Sequence, residues 1–253
     1  MTDRPYVLSE AAFGAVRDIE FQLAVLPWGA TEAHNLHLPY GTDNYQCEAI
    51  AHESARLAWE RGTRVIVLPT IPVGANAQQL NIPLTLNLNP SSQMAVLADI
   101  VASLDGHGVR RLVVLNGHGG NDFRWMIREL QPRAQLFMCV VNWYQYLSPD
   151  EFFDEPGDHA GEMETSIMLH VAPQLVTLDD AGSGDAKQFK VEALREGRAW
   201  APRRWSQVTA DTGVGNPAAA SSDKGARYFR ELTRQLGEFF CELAVADCDD
   251  LYQ

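Results

Sequence analysis

The chain is poor in cysteine and in basic residues. Its four cysteines are scattered along 253 residues and form no Cys-x-x-Cys pair, so neither a zinc knuckle nor a redox dithiol is indicated. Twenty lysines and arginines stand against 33 aspartates and glutamates, which leaves a formal charge of −13. This charge repels phosphate backbones and anionic lipid surfaces, so we expect neither a nucleic-acid partner nor a membrane partner.

The N-terminus lacks the basic start and apolar run of a secretory signal. Scattered, unpaired cysteines are typical of a reducing compartment, where they act as small core fillers or idle surface thiols. The sequence therefore predicts a cytoplasmic protein.

Apolar runs alternate with helical patterns up to about residue 170, which predicts an α/β fold with a largely parallel central sheet. We expect one domain over residues 1–253. Strands are predicted at Leu23 to Pro27, Val65 to Ile71, Arg111 to Leu115 and Gln135 to Val141. Helices are predicted near Asp43 to Arg61, Ser92 to Gly106, Asp122 to Leu130, Ala160 to Val171 and Asp223 to Ala246.

A long segment without clean periodicity covers about residues 178–222 and is rich in Gly, Ser, Asp, Pro and Trp. Loops of this length in compact domains usually bind, cover a site or contact a subunit. We expect this segment near the active site or a subunit interface, with a purely structural excursion as the alternative.

The first polar cluster follows the first predicted strand and contains Glu32, His34 and Asp43. Open α/β folds bind ligands at this carboxyl edge of the sheet. In an extended segment Glu32 and His34 point the same way, and carboxylate and imidazole groups are ligands that Zn, Mn or Fe accept. The same residues are also ordinary in a polar loop, so this cluster alone leaves both interpretations open.

The second cluster ends the third predicted strand and opens a helix. His118 should stand at the same edge of the sheet, between Gly117 and the pair Gly119 and Gly120. Glycines let the backbone approach a ligand closely, and a helix N-terminus offers free N–H groups. A nucleotide-binding turn is not favoured, because neither Gly-x-Gly-x-x-Gly nor Gly-Lys-Ser/Thr occurs here.

The third cluster lies at the start of a predicted helix. His159 and Glu162 are three residues apart and would share one helix face, whereas Glu164 would point elsewhere. The alternative is that Asp158 caps the helix and Glu162 complements its dipole. Taken alone, this cluster favours the alternative.

Together the clusters resemble the creatininase (creatinine amidohydrolase) family. The matching segments are Glu32-x-His34 with Leu38-Pro39-Tyr40-Gly41-Thr42-Asp43, then Asn116-Gly117-His118, and then His159-Ala160 with Glu164-Thr165-Ser166. Pro72-Val73-Gly74 with Ile82 to Leu86, and Gly213 to Pro217 with Lys224-Gly225, are also similar to family segments. The resemblance spans most of the chain.

The resemblance implies a three-layer α/β/α sandwich that holds two divalent metal ions, which are Zn, Mn or Fe. It implies one ion on Glu32, Asp43 and His118, and a second ion on His34 and the shared Asp43. Creatinine-hydrolysing members add a Glu two residues after the histidine of Asn-Gly-His, where this chain has Gly120. We expect Glu162 to replace that ligand and Glu164 to support a ligand without touching an ion.

The resemblance also implies that His159 protonates the leaving group. The substrate contacts expected are Asn76, Gly119, Gly120 and Trp143, with Gln78, Gln79, Tyr144, Trp200 and Trp205 as further wall residues. The family tryptophan four residues before His159 is Glu155 here, so creatinine itself is not the favoured substrate.

The function expected is a hydrolase that uses metal-activated water on a small polar carbonyl compound: a cyclic amide, a formamide or a cyclic ketone. Non-peptide C–N bonds are the first expectation, and ring-opening C–C hydrolysis is the second. The alternative is a non-catalytic protein of the same fold that holds metal for binding or assembly. By the same resemblance we expect a homo-oligomer, a hexamer.

Overall fold

The computed structural model describes residues 4–252. Strands are β1 Leu23–Trp28, β2 Val65–Val67, β3 Arg111–Asn116, β4 Phe137–Asn142, β5 Gly157–His159 and β6 Val214–Gly215. Helices are α1 Phe13–Val16, α2 Thr42–Glu60, α3 Pro90–Gly106, α4 Phe123–Leu130, α5 Trp143–Tyr146, α6 Glu162–Val171, α7 Glu192–Arg195, α8 Trp205–Val208 and α9 Ser222–Val245. Short 3-10 turns lie at Leu8–Glu10, Ala77–Gln79, Gln131–Arg133, Pro173–Leu175 and Leu178–Asp180.

The central sheet is parallel and has the strand order β2-β1-β3-β4. Side chains alternate across it, because neighbouring residues of a strand point to opposite faces. Val25 and Val113 pack with α2 and α9 on one face, whereas Leu26 and Val114 pack with α3 and α4 on the other. This confirms the predicted three-layer α/β/α sandwich.

The second strand is shorter than its apolar run, and proline explains the difference. Leu68 still donates to the Val25 carbonyl, but Pro69 has no N–H to continue the ladder. The chain rejoins the sheet at Ile71 through an isolated bridge to Trp28.

The helix predicted from Ala160 begins instead at Glu162. Ala160 has a positive φ of 52°, which a right-handed helix does not allow. His159 belongs to β5, which pairs with β6 from the far end of the 178–222 segment. The expectation that His159 and Glu162 share a helix face is therefore wrong.

The segment 178–222 contains α7, α8 and β6 rather than a structureless loop. Near its end, the Ser221 hydroxyl accepts the Lys224 N–H and caps the long helix α9. Within residues 4–252, no helix combines the length and the apolarity that crossing a membrane requires.

Candidate metal centre

The three polar clusters converge at the carboxyl edge of the sheet. Trp28 and Asn116 end β1 and β3 in register, so the loops that follow start side by side. Gly117 donates to the Trp28 carbonyl at 2.9 Å, which holds the His118 loop against the Glu32 loop. The pairing of these strands therefore places His118 near the first cluster, as predicted.

One group of ligand atoms comes from Glu32, Asp43 and His118, all of which are buried. His118 Nδ1 lies 2.8 Å from Glu32 Oε1 and 3.1 Å from Asp43 Oδ2. On the other side of the ring, Nε2 lies 3.2 Å from the Ala75 carbonyl. A carbonyl only accepts, so Nε2 carries a proton, and Nδ1 faces the two carboxylates either as a donor or, after losing its proton, with a lone pair for a cation.

A second group comes from His34, Asp43 and Glu164, whose ligand atoms lie within 4.8 Å of one another. His34 Nδ1 lies 3.1 Å from the Glu32 carbonyl oxygen, which leaves Nε2 facing Asp43 Oδ1 at 3.0 Å. The two oxygens of Asp43 thus face different groups, because Oδ2 lies beside His118.

His159 stands next to both groups and forms a third with Glu32 and His34, whose ligand atoms also lie within 4.8 Å of one another. Its Nε2 donates to the Ala33 carbonyl at 2.9 Å, and its Nδ1 lies 3.9 Å from Glu32 Oε1. Its ring centroid is 4.2 Å from that of His34 and 4.7 Å from that of Trp205. Trp205, at the start of α8, covers His159 and is itself buried.

The carboxylates and imidazoles strongly shift one another's pKa values. Burial opposes the charged form of His34, but the adjacent Asp43 carboxylate outweighs it and raises the pKa to about 10. Burial likewise opposes charge on His118, yet the Glu32 carboxylate holds its pKa well above the usual value. Burial raises the pKa of Glu164 to about 7. Protons therefore compensate the clustered negative charge wherever no cation does so.

The pKa of His159 moves in the opposite direction. Burial lowers it first, and the charge of His34 lowers it further. A neutral imidazole beside several charged groups is suited to proton transfer near neutral pH.

Divalent ions fit this donor set. Asp43 Oδ2 is buried and accepts no well-aligned hydrogen bond from residues 4–252, although His118 Nδ1 is 3.1 Å away. A lone pair and a carboxylate oxygen at that distance need a proton or a cation between them. Three carboxylates and two imidazoles are ligands that Zn, Mn and Fe accept.

Glu162 lies outside both groups, contrary to expectation. Its Oε2 accepts the backbone N–H groups of Asp154 at 2.8 Å and Glu155 at 2.7 Å. Its Oε1 accepts a hydrogen bond from the Lys224 ammonium at the start of α9. Both oxygens are thus engaged in fixing the chain, and it is Glu164 that lies beside His34 and Asp43.

A cleft of about 1340 Å³ opens over the two groups. Gly119 and Gly120 line it, as expected, and neither of their N–H groups donates to a partner in the described part of the chain. Asn76 and Trp143 do not line it. Asn76 is buried and donates to the Leu86 carbonyl, which holds its own loop.

Trp143 points into the core because β4 ends at Asn142 and turns directly into α5. The next residue, Tyr144, lines the cleft in its place. The substrate-contact assignments of Asn76 and Trp143 are therefore corrected.

Further residues complete the cleft. Gln79 donates through its side-chain amide to Glu32 Oε2. Arg203 bonds Asp158 at 2.8 Å and stacks on Trp205, so the 200–205 segment is tied to the strand that carries His159. Gln79 and Trp205 stood out in the sequence as polar and aromatic loop residues. Nothing in the sequence indicated the pairs that Arg203 and Lys224 make.

A family model described as "Creatininase: Creatinine amidohydrolase" matches residues 9–240. The mycofactocin precursor peptide peptidase of Mycobacterium ulcerans (strain Agy99) is 29% identical over 82% of this chain and 80% of its own length. A Bacteroides fragilis protein provisionally assigned as a creatinine amidohydrolase is 42% identical, with a TM-score of 0.94 over 100% of both chains.

A more distant structure has the same fold. It is a mutant creatininase of Zn-Zn type, with a TM-score of 0.77 and 22% identity over 95% of this chain and 99% of that one.

Proposed function

This chain belongs to the creatininase family of hydrolases, and we propose that it hydrolyses a carbonyl compound with two divalent metal ions. The observation that carries the proposal is the position of Asp43 between two ligand groups that are buried except for the partly exposed Glu164. Asp43 would contribute to holding both ions, because its Oδ1 faces His34 and its Oδ2 lies beside His118.

We assign Glu32, Asp43 and His118 to one ion and His34, Asp43 and Glu164 to the other. Glu164 takes the place for which the sequence suggested Glu162. This assignment gives each ion three protein ligands and leaves room for water or substrate, as catalytic sites require. Zn, Mn and Fe all suit these ligands, and the Zn-Zn type of the related mutant creatininase favours zinc for the first reconstitution.

When bound, such ions lower the pKa of coordinated water and polarise a substrate carbonyl. The chain's own residues supply the remaining chemistry. Gly119 and Gly120 line the cleft, and we propose that their N–H groups donate hydrogen bonds to the carbonyl oxygen as negative charge develops on it. The Ala33 carbonyl and the ring of Trp205 fix the orientation of His159, which leaves Nδ1 on the Glu32 side.

His159 then moves the proton. Its lowered pKa keeps Nδ1 unprotonated near neutral pH, so Nδ1 can accept a proton and pass it to the leaving nitrogen. Trp205 excludes bulk water from this side of the ring. We also propose that the 178–222 segment covers the site, because Arg203 and Trp205 join it to Asp158 and His159.

The substrate we propose is a small polar carbonyl compound, with amides before cyclic ketones. A second candidate is a short peptide. The cleft of about 1340 Å³ is larger than the roughly 300–1,000 Å³ typical of small-molecule sites, and the Mycobacterium ulcerans relative is named a peptide peptidase.

A non-catalytic metal-holding protein is less well supported. The main argument for such a protein was that Gly120 stands where creatinine-hydrolysing family members have a glutamate ligand. The position of Glu164 beside His34 removes that argument. One domain over residues 1–253 remains our working proposal, and the homo-oligomer and the cytoplasmic location remain predictions from sequence.

A hydrolysis screen tests the proposal. The chelated protein is reconstituted with zinc or manganese and assayed on lactams, formamides, short peptides and cyclic ketones. We expect activity that disappears in Asp43→Asn and falls by at least about a hundredfold in His159→Asn. Turnover that persists after chelation, or in Asp43→Asn, would exclude the two-metal mechanism.

A further inference from the structure

Tyr144 presents a free hydroxyl group at the cleft. Within residues 4–252 it is the only cleft-lining residue whose side chain carries a hydroxyl. Its ring is half-buried, packs against the apolar core and meets the Trp143 ring edge to face, with the two ring centroids 5.9 Å apart. This packing fixes the direction in which the hydroxyl points.

A bound molecule can reach this hydroxyl. It makes no hydrogen bond to any residue between 4 and 252, and it is not shielded from solvent. Burial of the ring, with smaller effects of the Asp43 and Glu164 carboxylates, raises the pKa of Tyr144 to about 12. The hydroxyl therefore keeps its proton near neutral pH and is available as a donor.

The glycines after His118 show what the hydroxyl faces. A carbon added at Gly119 would have, apart from its chain neighbours, a single atom within 4 Å, which is the Tyr144 hydroxyl oxygen at 4.0 Å. At Gly120, by contrast, an added carbon would collide with the Ala75 carbonyl and the His118 ring. The space beside Gly119 is therefore open, and the Tyr144 hydroxyl borders it.

We propose that the Tyr144 hydroxyl donates a hydrogen bond to the oxygen of the substrate's reacting carbonyl, beside the Gly119 N–H, as negative charge develops on that oxygen. The inference rests on the proposed function and adds a catalytic residue to it. A fixed donor at this position stabilises the transition state more than the bound substrate, because the oxygen carries more charge there. The rival explanation is that Tyr144 is only a wall of the cleft, which its ring alone provides.

Tyr144→Phe separates these explanations, because it keeps the ring and removes only the hydroxyl. The binding probe is methylphosphonate, a tetrahedral anion whose oxygens resemble those of a tetrahedral intermediate. We expect the zinc-loaded variant to bind methylphosphonate at least about tenfold more weakly than zinc-loaded wild type in calorimetry, because hydrogen bonds to charged groups are strong. On the compound that wild type hydrolyses fastest in the screen, kcat should fall at least about tenfold while KM changes by less than about twofold.

The matched control is Tyr146→Phe. Tyr146 ends the same short helix, packs on Phe239 and does not line the cleft. This variant should bind methylphosphonate and turn over the substrate like wild type. Zinc content, measured by elemental analysis, should match in all three proteins, because neither tyrosine belongs to a ligand group.

Equal methylphosphonate affinity in Tyr144→Phe and wild type, or an unchanged kcat, overturns the inference and leaves the proposed function standing. An equal loss in Tyr146→Phe overturns it too, because that hydroxyl is remote from the cleft. Zinc-loaded wild type that neither binds methylphosphonate nor hydrolyses any screened compound overturns the proposed function, and this inference with it. If Tyr144→Phe misfolds, Gly119→Ala provides an independent test: its methyl group fills the space that the hydroxyl borders, so methylphosphonate should bind more weakly at unchanged zinc content.

Discussion

Two glutamates on one helix should have different roles, so that replacing one lowers the metal content and replacing the other lowers the stability. Glu164 faces His34 and Asp43, whereas Glu162 bonds the Lys224 ammonium and two backbone amides. In Glu164→Ala the second ion keeps two protein ligands, which is too few for tight binding. We therefore expect the zinc content to fall from about two ions per chain to about one.

Glu162→Ala should keep both ions and lose stability instead. It leaves the N–H groups of Asp154 and Glu155 without their acceptor, at about 1–3 kcal/mol for each buried donor. Because these amides are only partly buried, we expect about 2–4 kcal/mol in total. For a chain of this size, at about 2–4 °C per kcal/mol, that loss lowers Tm by about 4–16 °C.

Elemental analysis after zinc reconstitution and desalting gives the ion count. Urea unfolding of the chelated proteins gives stability without a contribution from metal. Loss of an ion in Glu162→Ala with unchanged unfolding, or two retained ions in Glu164→Ala, would refute our ligand assignment.

Three further predictions concern the same site. At pH 7, zinc binding should release about two protons, because zinc displaces protons from groups such as His34, whose pKa is about 10. The apparent zinc affinity should therefore rise with pH up to about 10. Calorimetry in buffers of different ionisation enthalpy measures the number of protons released. Gly74→Ala should lower zinc content and cost about 1–3 kcal/mol in urea unfolding, because its new Cβ would lie 2.8 Å from His118 Cδ2 and 2.9 Å from the Gly29 carbonyl. Trp205→Ala should reduce kcat/KM by more than tenfold while leaving the zinc content unchanged, because it exposes His159 and contributes no ligand; an unchanged rate would remove Trp205 from the mechanism.

Sequence periodicity predicted the layers of the fold well. Three of the four core strands, β1, β3 and β4, and the helices α2, α3, α4 and α9 lie within a few residues of their predicted bounds, because apolar runs and helical spacing report burial directly. The exception was β2, where Pro69 cut a longer apolar run.

The third cluster was predicted less well because its geometry depends on distant partners. β5 forms only by pairing with β6, so His159 sits on a strand that no local pattern indicates. Glu162 and Glu164 are only two residues apart, and their environments differ because Lys224 reaches Glu162 from another helix. Residue spacing alone does not predict a contact between side chains of two different helices.

The cleft is lined by the loop around His118 and by a separate stretch of chain, residues 200–205. Beside His118, Gly74 and Gly120 leave no space for an added carbon. The 200–205 segment lines the opposite side, and its side chains belong to neither ligand group. A saturation library confined to Trp200, Ala201, Pro202 and Arg204 should therefore change substrate choice while leaving both ligand groups and the Arg203 contacts intact, which offers a direct route to engineered variants.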